Sequence, residues 1–323
     1  ILQLAPLPQG MLAGWLQMST TSQAAAMSGQ DGNISWALTL EEHKEGWLLG
    51  SSDTAYKLTL SGTGKMSAYQ TESYTLNGKK ESRTTAPWKE YAANIQTVEI
   101  QSGVTNVSRY AFWGCSAITT VQLPADIQEI GEYAFANCSN LKSINLPEGI
   151  TTIKERAFYT CTCLTGVQLP KTVETIGLEA FSKCSALEEI TIPASVTKMG
   201  MFAVSNCKNL QKIVVEEGVK EIGGYAFYGN ESLTQLTLPV ASLQTIGMGA
   251  FSSTALEELM IPASVTMIYG NPCVNKQLKQ IQVVSGNQNY TVHDNILIEL
   301  KNGAFYKTLC YPAALSGKVS IPS

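Results

Sequence analysis

The sequence contains few charged side chains for a chain of 323 residues. Charged residues make up 15% of it, against roughly 25% in average soluble domains. The formal net charge is -4. A charge-poor, slightly acidic chain cannot neutralise many phosphates, so we expect no nucleic-acid partner.

Histidine is also scarce, with only His43 and His293 in the chain. A Cys-His or Ser-His nucleophile pair requires a histidine beside an exposed thiol or hydroxyl. His43 lies in LEEHKEGW, which is typical of a surface loop, and His293 lies in YTVHDN, which is typical of a hairpin. We therefore predict no catalytic residues and expect that the protein is not an enzyme.

Paired acidic residues offer no better catalytic site. They occur at Glu188-Glu189, Glu216-Glu217 and Glu257-Glu258. Neighbours along a strand point to opposite faces, so each pair separates its own carboxylates. Glu189 and Glu258 share a face but lie three repeats apart, about 14 Å, whereas glycoside hydrolysis requires roughly 5–9.5 Å.

Motifs for metals and cofactors are missing from the sequence as well. Cys161-x-Cys163 has no second cysteine pair and no nearby histidine, no calcium-binding loop is present, and GTGK at 62–65 lacks the spacing of a phosphate loop. We expect neither a metal nor a cofactor.

Long hydrophobic runs are absent, since no apolar stretch reaches the ~18 residues of a membrane helix. Residues 1–30 contain no charged side chain. An apolar half is followed by a half rich in small residues that ends at Ala24–Ala26. Segment 1–31 is therefore either the remnant of an export signal and its cleavage region or a tail that packs on the next domain.

What the sequence does contain is a repeat of about 23 residues. Ala-Phe pairs begin at Ala111, Ala134, Ala157, Ala180, Ala226 and Ala250, and Leu/Ile-Pro pairs end at Pro124, Pro147, Pro170, Pro193, Pro239 and Pro262. A further apolar pair, such as Ile127 and Ile130, follows each proline position. A fixed period of this length predicts a solenoid whose stacked coils share one core.

Each repeat also contains one strand pattern, L-x-x-I-x-L, in which apolar and polar residues alternate. The proline that follows lacks an N–H and ends the strand. We predict a parallel sheet built from strands at 98–100, 121–123, 144–146, 167–169, 190–192, 213–215, 236–238, 259–261 and 281–283.

Five of the eight cysteines fall in one position of the repeat: Cys115, Cys138, Cys161, Cys184 and Cys207. Stacked coils hold such side chains parallel, which is the wrong geometry for disulfides. We therefore predict buried free thiols that pack behind the sheet and donate weakly to neighbouring carbonyls.

The combined pattern AFxxCxxLxxIxLPxxVxxI resembles the BspA-type leucine-rich repeats of surface and secreted bacterial proteins. The resemblance implies a mainly β leucine-rich-repeat solenoid with 23-residue coils and a parallel sheet, preceded by a small β cap. It divides the chain into the N-terminal segment 1–31, a β cap at 32–88, the repeat array at 89–285, a β-hairpin insertion at 286–318 with a turn at Asn302-Gly303, and the start of a further truncated repeat at 319–323.

The resemblance also implies export, cell-surface display and adhesion. We expect a monomeric, non-catalytic recognition module, extracellular or at the cell surface, that binds an extracellular protein or glycan. The alternative is a structural spacer that holds another domain away from the cell surface.

Binding by solenoids commonly uses the extended strand face. The side chains predicted to project from that face, and so the candidate ligand-binding residues, are Gln122, Asn145, Gln168, Glu189, Thr191, Lys212, Val214, Thr237, Glu258 and Met260. The face is polar and free of aromatic residues, so it is suited to hydrogen bonding with little electrostatic steering. A solvated sheet that binds nothing is the competing interpretation.

A second candidate surface flanks the Ala-Phe pairs and is rich in aromatic residues: Tyr110, Trp113, Tyr133, Tyr159, Phe202, Tyr225 and Tyr228. Aromatic residues of this kind dominate binding energy at many interfaces. We expect most of them to pack between coils instead.

Overall fold

The computed structural model describes residues 27–42, 55–76 and 79–310, and in these ranges the chain is mainly β without an α-helix. A stack of parallel-stranded coils lies between an N-terminal cap and a C-terminal antiparallel sheet. The solenoid predicted from the repeat is confirmed. Residues 1–26, His43 and the predicted repeat start at 319–323 lie outside the described residues.

The cap consists of five strands, β1 (Met27–Asp31), β2 (Ile34–Glu42), β3 (Ala55–Gly62), β4 (Thr71–Leu76) and β5 (Lys79–Thr84). Strands β1, β2 and β3 form an antiparallel sheet, and β4 and β5 form a separate hairpin. Because β1 pairs with β2 along its whole length, the cap includes residues 27–31, which the sequence pattern places in the N-terminal segment.

Strands of the array alternate along the chain between two positions of the coil: β6 (Ile95–Ile100), β7 (Asn106–Val107), β8 (Thr120–Gln122), β9 (Glu129–Ile130), β10 (Ser143–Asn145), β11 (Thr152–Ile153), β12 (Gly166–Gln168), β13 (Thr175–Ile176), β14 (Glu189–Ile192), β15 (Lys198–Met199), β16 (Lys212–Val215), β17 (Glu221–Ile222), β18 (Gln235–Thr237), β19 (Thr245–Ile246), β20 (Glu258–Ile261), β21 (Met267–Ile268) and β22 (Gln280–Val283). The even-numbered strands from β6 to β22 lie where the sequence predicts the parallel sheet, and most begin one residue earlier than predicted. Their hydrogen bonds join them in three groups, β6 with β8, β10 to β18, and β20 with β22, and we call this row of strands the first sheet. Strand β3 pairs in parallel with β6, so the cap continues this sheet.

The odd-numbered strands from β7 to β21 form a second parallel sheet, with eight strands, that the sequence analysis missed. Its strands contain two residues each, which is too short to show an alternating pattern. The apolar pairs after each proline were the feature of the sequence that indicated these strands. A turn links the two sheets, and in it the amide of Ile150 donates to the carbonyl of Pro147 at 3.1 Å.

A ladder of phenylalanine rings fills the space behind the sheets. Phe112, Phe135, Phe158 and Phe181 are fully buried, and successive ring centroids lie 5.1, 5.4 and 5.1 Å apart. Trp88 closes the N-terminal end, because its ring stacks on Phe112 at 5.8 Å and its Nε1 donates to the carbonyl of Ala111 at 2.9 Å.

A second ladder, made of thiols, runs beside the rings. The Sγ atoms of Cys138, Cys161, Cys184 and Cys207 each donate to the carbonyl of the phenylalanine in the preceding coil, at 3.2–3.3 Å. All eight cysteines are free and all but Cys163 are buried, which confirms the predicted thiols. Burial raises the pKa of Cys115, Cys161 and Cys207 to about 12, so these groups stay protonated at neutral pH.

Carboxylates close several of the turns between coils. Glu217 accepts hydrogen bonds from the backbone amides of Val240, Ala241 and Ser242 in the next coil. Desolvation acts to raise the pKa of Glu217, but these amides outweigh it and hold the pKa below its ordinary value of 4.5. The charged form is therefore favoured by the folded state.

This arrangement predicts an acid-sensitive contribution to stability. A carboxylate whose pKa is lowered on folding stabilises the fold above pH 4.5, and the contribution is lost as the pH falls through the folded-state pKa. Glu217→Gln is expected to lower the urea midpoint at pH 7 and to have a smaller effect at pH 2.5, which lies below the ordinary pKa of 4.5. Glu231→Gln, an exposed position, serves as the charge-matched control. A loss of the same size at both pH values would show that the charge of Glu217 does not matter.

The C-terminal sheet consists of β23 (Tyr290–His293), β24 (Ile296–Lys301) and β25 (Ala304–Cys310), three antiparallel strands where the sequence predicts a hairpin. The predicted turn at Asn302-Gly303 is confirmed, with positive φ at both residues. This sheet covers the last coil, since the Tyr290 hydroxyl accepts the amide of Ile268 at 2.7 Å and Asn295 Oδ1 accepts that of Ile281 at 2.7 Å.

Candidate ligand-binding face

The ten candidate residues all project from the outer face of the first sheet. Nine are exposed, and Val214 is half-buried between its neighbours. Parallel pairing places Glu189 beside Lys212 and Thr191 beside Val214, while Asn145 lies beside Gln168. The structure thus brings the ten residues onto one surface, as the alternation predicts, although not into one site.

A shallow groove of about 870 Å³ crosses this face over three coils. Four of the candidate residues line it, namely Asn145, Gln168, Glu189 and Thr191. Gln122 lies one strand before the groove, and Lys212, Val214 and Thr237 lie on the strands after it.

Gly166 lines the groove without a side chain. It occupies the position in the outward column that Ser143 and Glu189 fill in the neighbouring strands. No heavy atom lies within 4 Å of the point where a Cβ of residue 166 would lie. The missing side chain therefore leaves open space above the sheet.

One wall of the groove comes from the turn that follows each strand. Leu146, Pro147, Leu169 and Pro170 contribute apolar surface, and Glu148 and Lys171 contribute charge. Glu148 Oε2 accepts the backbone amide of Lys171 at 3.1 Å. The sequence pattern assigns the prolines to the ends of the strands and does not predict this wall.

A second hollow, of about 510 Å³, lies at the C-terminal end of the same face. Glu258 lines it together with Lys279, Gln280 and Asn295. Asn295 belongs to the turn between β23 and β24, so this hollow requires the C-terminal sheet. Met260 lies on the neighbouring outward column, with 53% of its surface exposed.

Comparison with known families supports the repeat assignment. The profile of the BspA type leucine rich repeat region matches residues 90–188 and 175–297, in six copies. The chain belongs to the BspA-type leucine-rich repeat family. No curated protein matches the sequence.

Solved structures of other leucine-rich repeat proteins resemble this BspA-type chain. The T. pallidum leucine-rich repeat protein is 32% identical, with 49% of this chain and 76% of that protein covered and a TM-score of 0.46. A leucine-rich repeat protein from Bacteroides ovatus is 25% identical over 76% of this chain and 66% of its own, with a TM-score of 0.42. A leucine rich cell surface protein from Faecalibacterium prausnitzii is 21% identical, and the match covers 90% of this chain and 63% of that protein, with a TM-score of 0.39.

The aromatic residues beside the Ala-Phe pairs of these BspA-type coils pack mainly against each other. Tyr110 stacks on Tyr133 at 4.8 Å, and Phe202 stacks on Tyr225 at 5.0 Å. The hydroxyl of Tyr159 accepts a hydrogen bond from Lys183 Nζ at 2.6 Å. The expected packing between coils is therefore confirmed for these rings.

Reactive groups are not gathered on the candidate face. Within the described ranges, no group of three or more histidine, cysteine or acidic residues could hold a metal ion.

No helix in the same ranges is long and apolar enough to cross a membrane. The family assignment indicates a protein-interaction or cell-surface module of a kind that is typically non-catalytic.

Proposed function

We propose that this BspA-type array is an exported, non-catalytic recognition module that captures an extracellular protein or glycan through its first sheet. Membership of a family associated with surface and secreted proteins supports this assignment. The cell-surface protein of Faecalibacterium prausnitzii is one solved leucine-rich repeat protein whose name carries such a location.

The groove above Gly166 is the observation that carries the proposal. It offers amide groups from Asn145 and Gln168, a hydroxyl from Thr191 and opposite charges from Glu189 and Lys171. Such groups make directional hydrogen bonds to a polar ligand. A spacer has no need of a groove that gathers these polar groups.

Gly166→Tyr is expected to weaken binding by at least about tenfold because the ring would project into the groove and obstruct it. The folded chain should tolerate the change, since nothing lies within 4 Å of a Cβ at this position and glycine weakens a strand. Wild type and variant would be compared on arrays of immobilised extracellular-matrix proteins and glycans, with dissociation constants then measured for each hit.

Thr175→Tyr is the matched control, because Thr175 is exposed on the second sheet of the same coil. Circular dichroism and thermal melting would establish that both variants are folded. Capture that is lost in Gly166→Tyr and kept in Thr175→Tyr supports recognition through the groove. Equal capture by all three chains would overturn the proposal that the groove binds the ligand. Capture by none of them would favour the spacer.

A further inference from the structure

A strip of apolar side chains, three of them exposed and three half-buried, follows one edge of the later coils, away from the candidate ligand-binding face. We define the apolar strip as Met201, Phe202, Tyr225, Tyr228, Met248 and Tyr269. Met201, Met248 and Tyr269 are 50%, 48% and 58% exposed. A contiguous surface of this composition is typical of a contact site, because methionine and aromatic residues are enriched in interfaces and charge is depleted.

Contacts within the strip make it continuous across neighbouring coils. The Met201 methyl carbon lies 3.7 Å from the point where a Cβ of residue 224 would lie, so its side chain extends across Gly224. Met248 extends in the same way over Gly270, with Sδ 3.5 Å from the corresponding point. Phe202 stacks on Tyr225, and Tyr228 meets Tyr225 edge-on at 5.8 Å.

At the repeat position of Met201 and Met248, the first three coils carry charged residues, Arg109, Glu132 and Glu155, and the fourth carries Leu178. There, Arg109 pairs with Glu132 at 3.3 Å, and Arg156 pairs with Glu155 at 3.0 Å. At this one position, charged side chains of the first three coils are therefore replaced by uncharged side chains in the later coils, a change that the core of the solenoid does not require.

We infer that residues 1–26 of this chain dock on the apolar strip. This segment contains no charged residue, and its first 16 residues include Leu7, Met11, Leu12, Trp15 and Leu16. An uncharged apolar segment and an uncharged apolar strip bury each other without leaving a charge unpaired.

The length of the segment permits this docking. It joins the array at Met27, on the outermost strand of the cap sheet. About eight strand spacings separate β1 from β16, which is about 40 Å along the axis, and 26 extended residues can span about 85 Å. A tethered segment also acts at an effective concentration of about millimolar, so it competes well against a free partner.

Methionine oxidation in the full chain tests the docking, because peroxide converts exposed methionine to its sulfoxide. Met201, Met248 and Met260 have nearly equal exposure in the folded array, at 50%, 48% and 53%. A docked segment covers the first two and leaves Met260 on the strand face free. We expect oxidation of Met201 and Met248 to be at least about fivefold slower than that of Met260, measured by peptide mass spectrometry.

A full-length variant with Leu12→Asp, Trp15→Asp and Leu16→Asp should abolish this protection and leave the rate at Met260 unchanged. A charge-matched control, Thr20→Asp, Thr21→Asp and Ser22→Asp, should keep it. Equal rates at all three methionines of the wild-type chain would overturn the inference, as expected if the segment is an export-signal remnant. Protection that falls on dilution would also overturn it, by assigning the contact to a second copy.

Discussion

Replacing Phe158 by alanine is expected to lower the free energy of unfolding by about 4 kcal/mol. Phe158 is fully buried, and its ring stacks between Phe135 at 5.4 Å and Phe181 at 5.1 Å. Truncation removes apolar area from the core and leaves a cavity that rigid neighbouring coils cannot close. Urea denaturation followed by circular dichroism would measure the loss.

Two matched variants sharpen this experiment. Phe158→Val reproduces the residue that coil five carries at Val204, so it should cost less than alanine. Tyr159→Ala changes the adjacent, half-buried ring and should cost the least. Because each coil of a solenoid contacts only its neighbours, hydrogen exchange should increase first in the coils that flank Phe158. Equal losses in all three variants would contradict a continuous ring ladder.

The repeat predicts the fold well because the same position has the same environment in every coil. Val167 and Ile190 must face the core, so Gln168 and Thr191 must face outward, and the structure places them there. The thiols are predictable for the same reason, since a small residue repeated at one slot must pack in one place in every coil. Periodicity thus determines burial and orientation.

Features that differ between coils were less accessible to sequence reasoning. The groove includes a position without a side chain, Gly166. A pattern of apolar and polar positions does not show such a gap. The second sheet was missed because strands such as Thr152–Ile153 are too short to show a period. The second hollow requires Asn295, a residue outside the array that only the folded chain brings to Glu258.

Asn230→Leu is expected to destabilise the chain by about 3 kcal/mol. Asn230 is fully buried, and its Nδ2 donates to the carbonyls of Val204 at 2.8 Å and Phe227 at 3.0 Å. Its Oδ1 accepts the amide of Cys207 at 2.8 Å. Leucine has a similar volume but leaves these buried groups without a partner, and each unpaired group costs about 1–3 kcal/mol.

Asn230→Cys is the informative comparison, because Asn230 occupies the cysteine position of the repeat. Cys207 Sγ donates to Phe181, and Asn230 Nδ2 donates to Val204, in each case to a carbonyl 26 residues earlier. A thiol at position 230 should therefore keep one of the three hydrogen bonds and be less destabilising than leucine, as urea midpoints would show.

The difference between these two variants decides what the cysteine position requires. The amide of Cys184 donates to the carbonyl of Phe181 within its own coil. In the next coil valine replaces phenylalanine at Val204, and the amide of Cys207 donates instead to Oδ1 of Asn230 in the coil that follows. Asparagine thus supplies an acceptor where the local turn no longer does. If leucine proved as stable as cysteine at position 230, packing volume alone would explain the ladder, and the thiol hydrogen bonds of the earlier coils would contribute little.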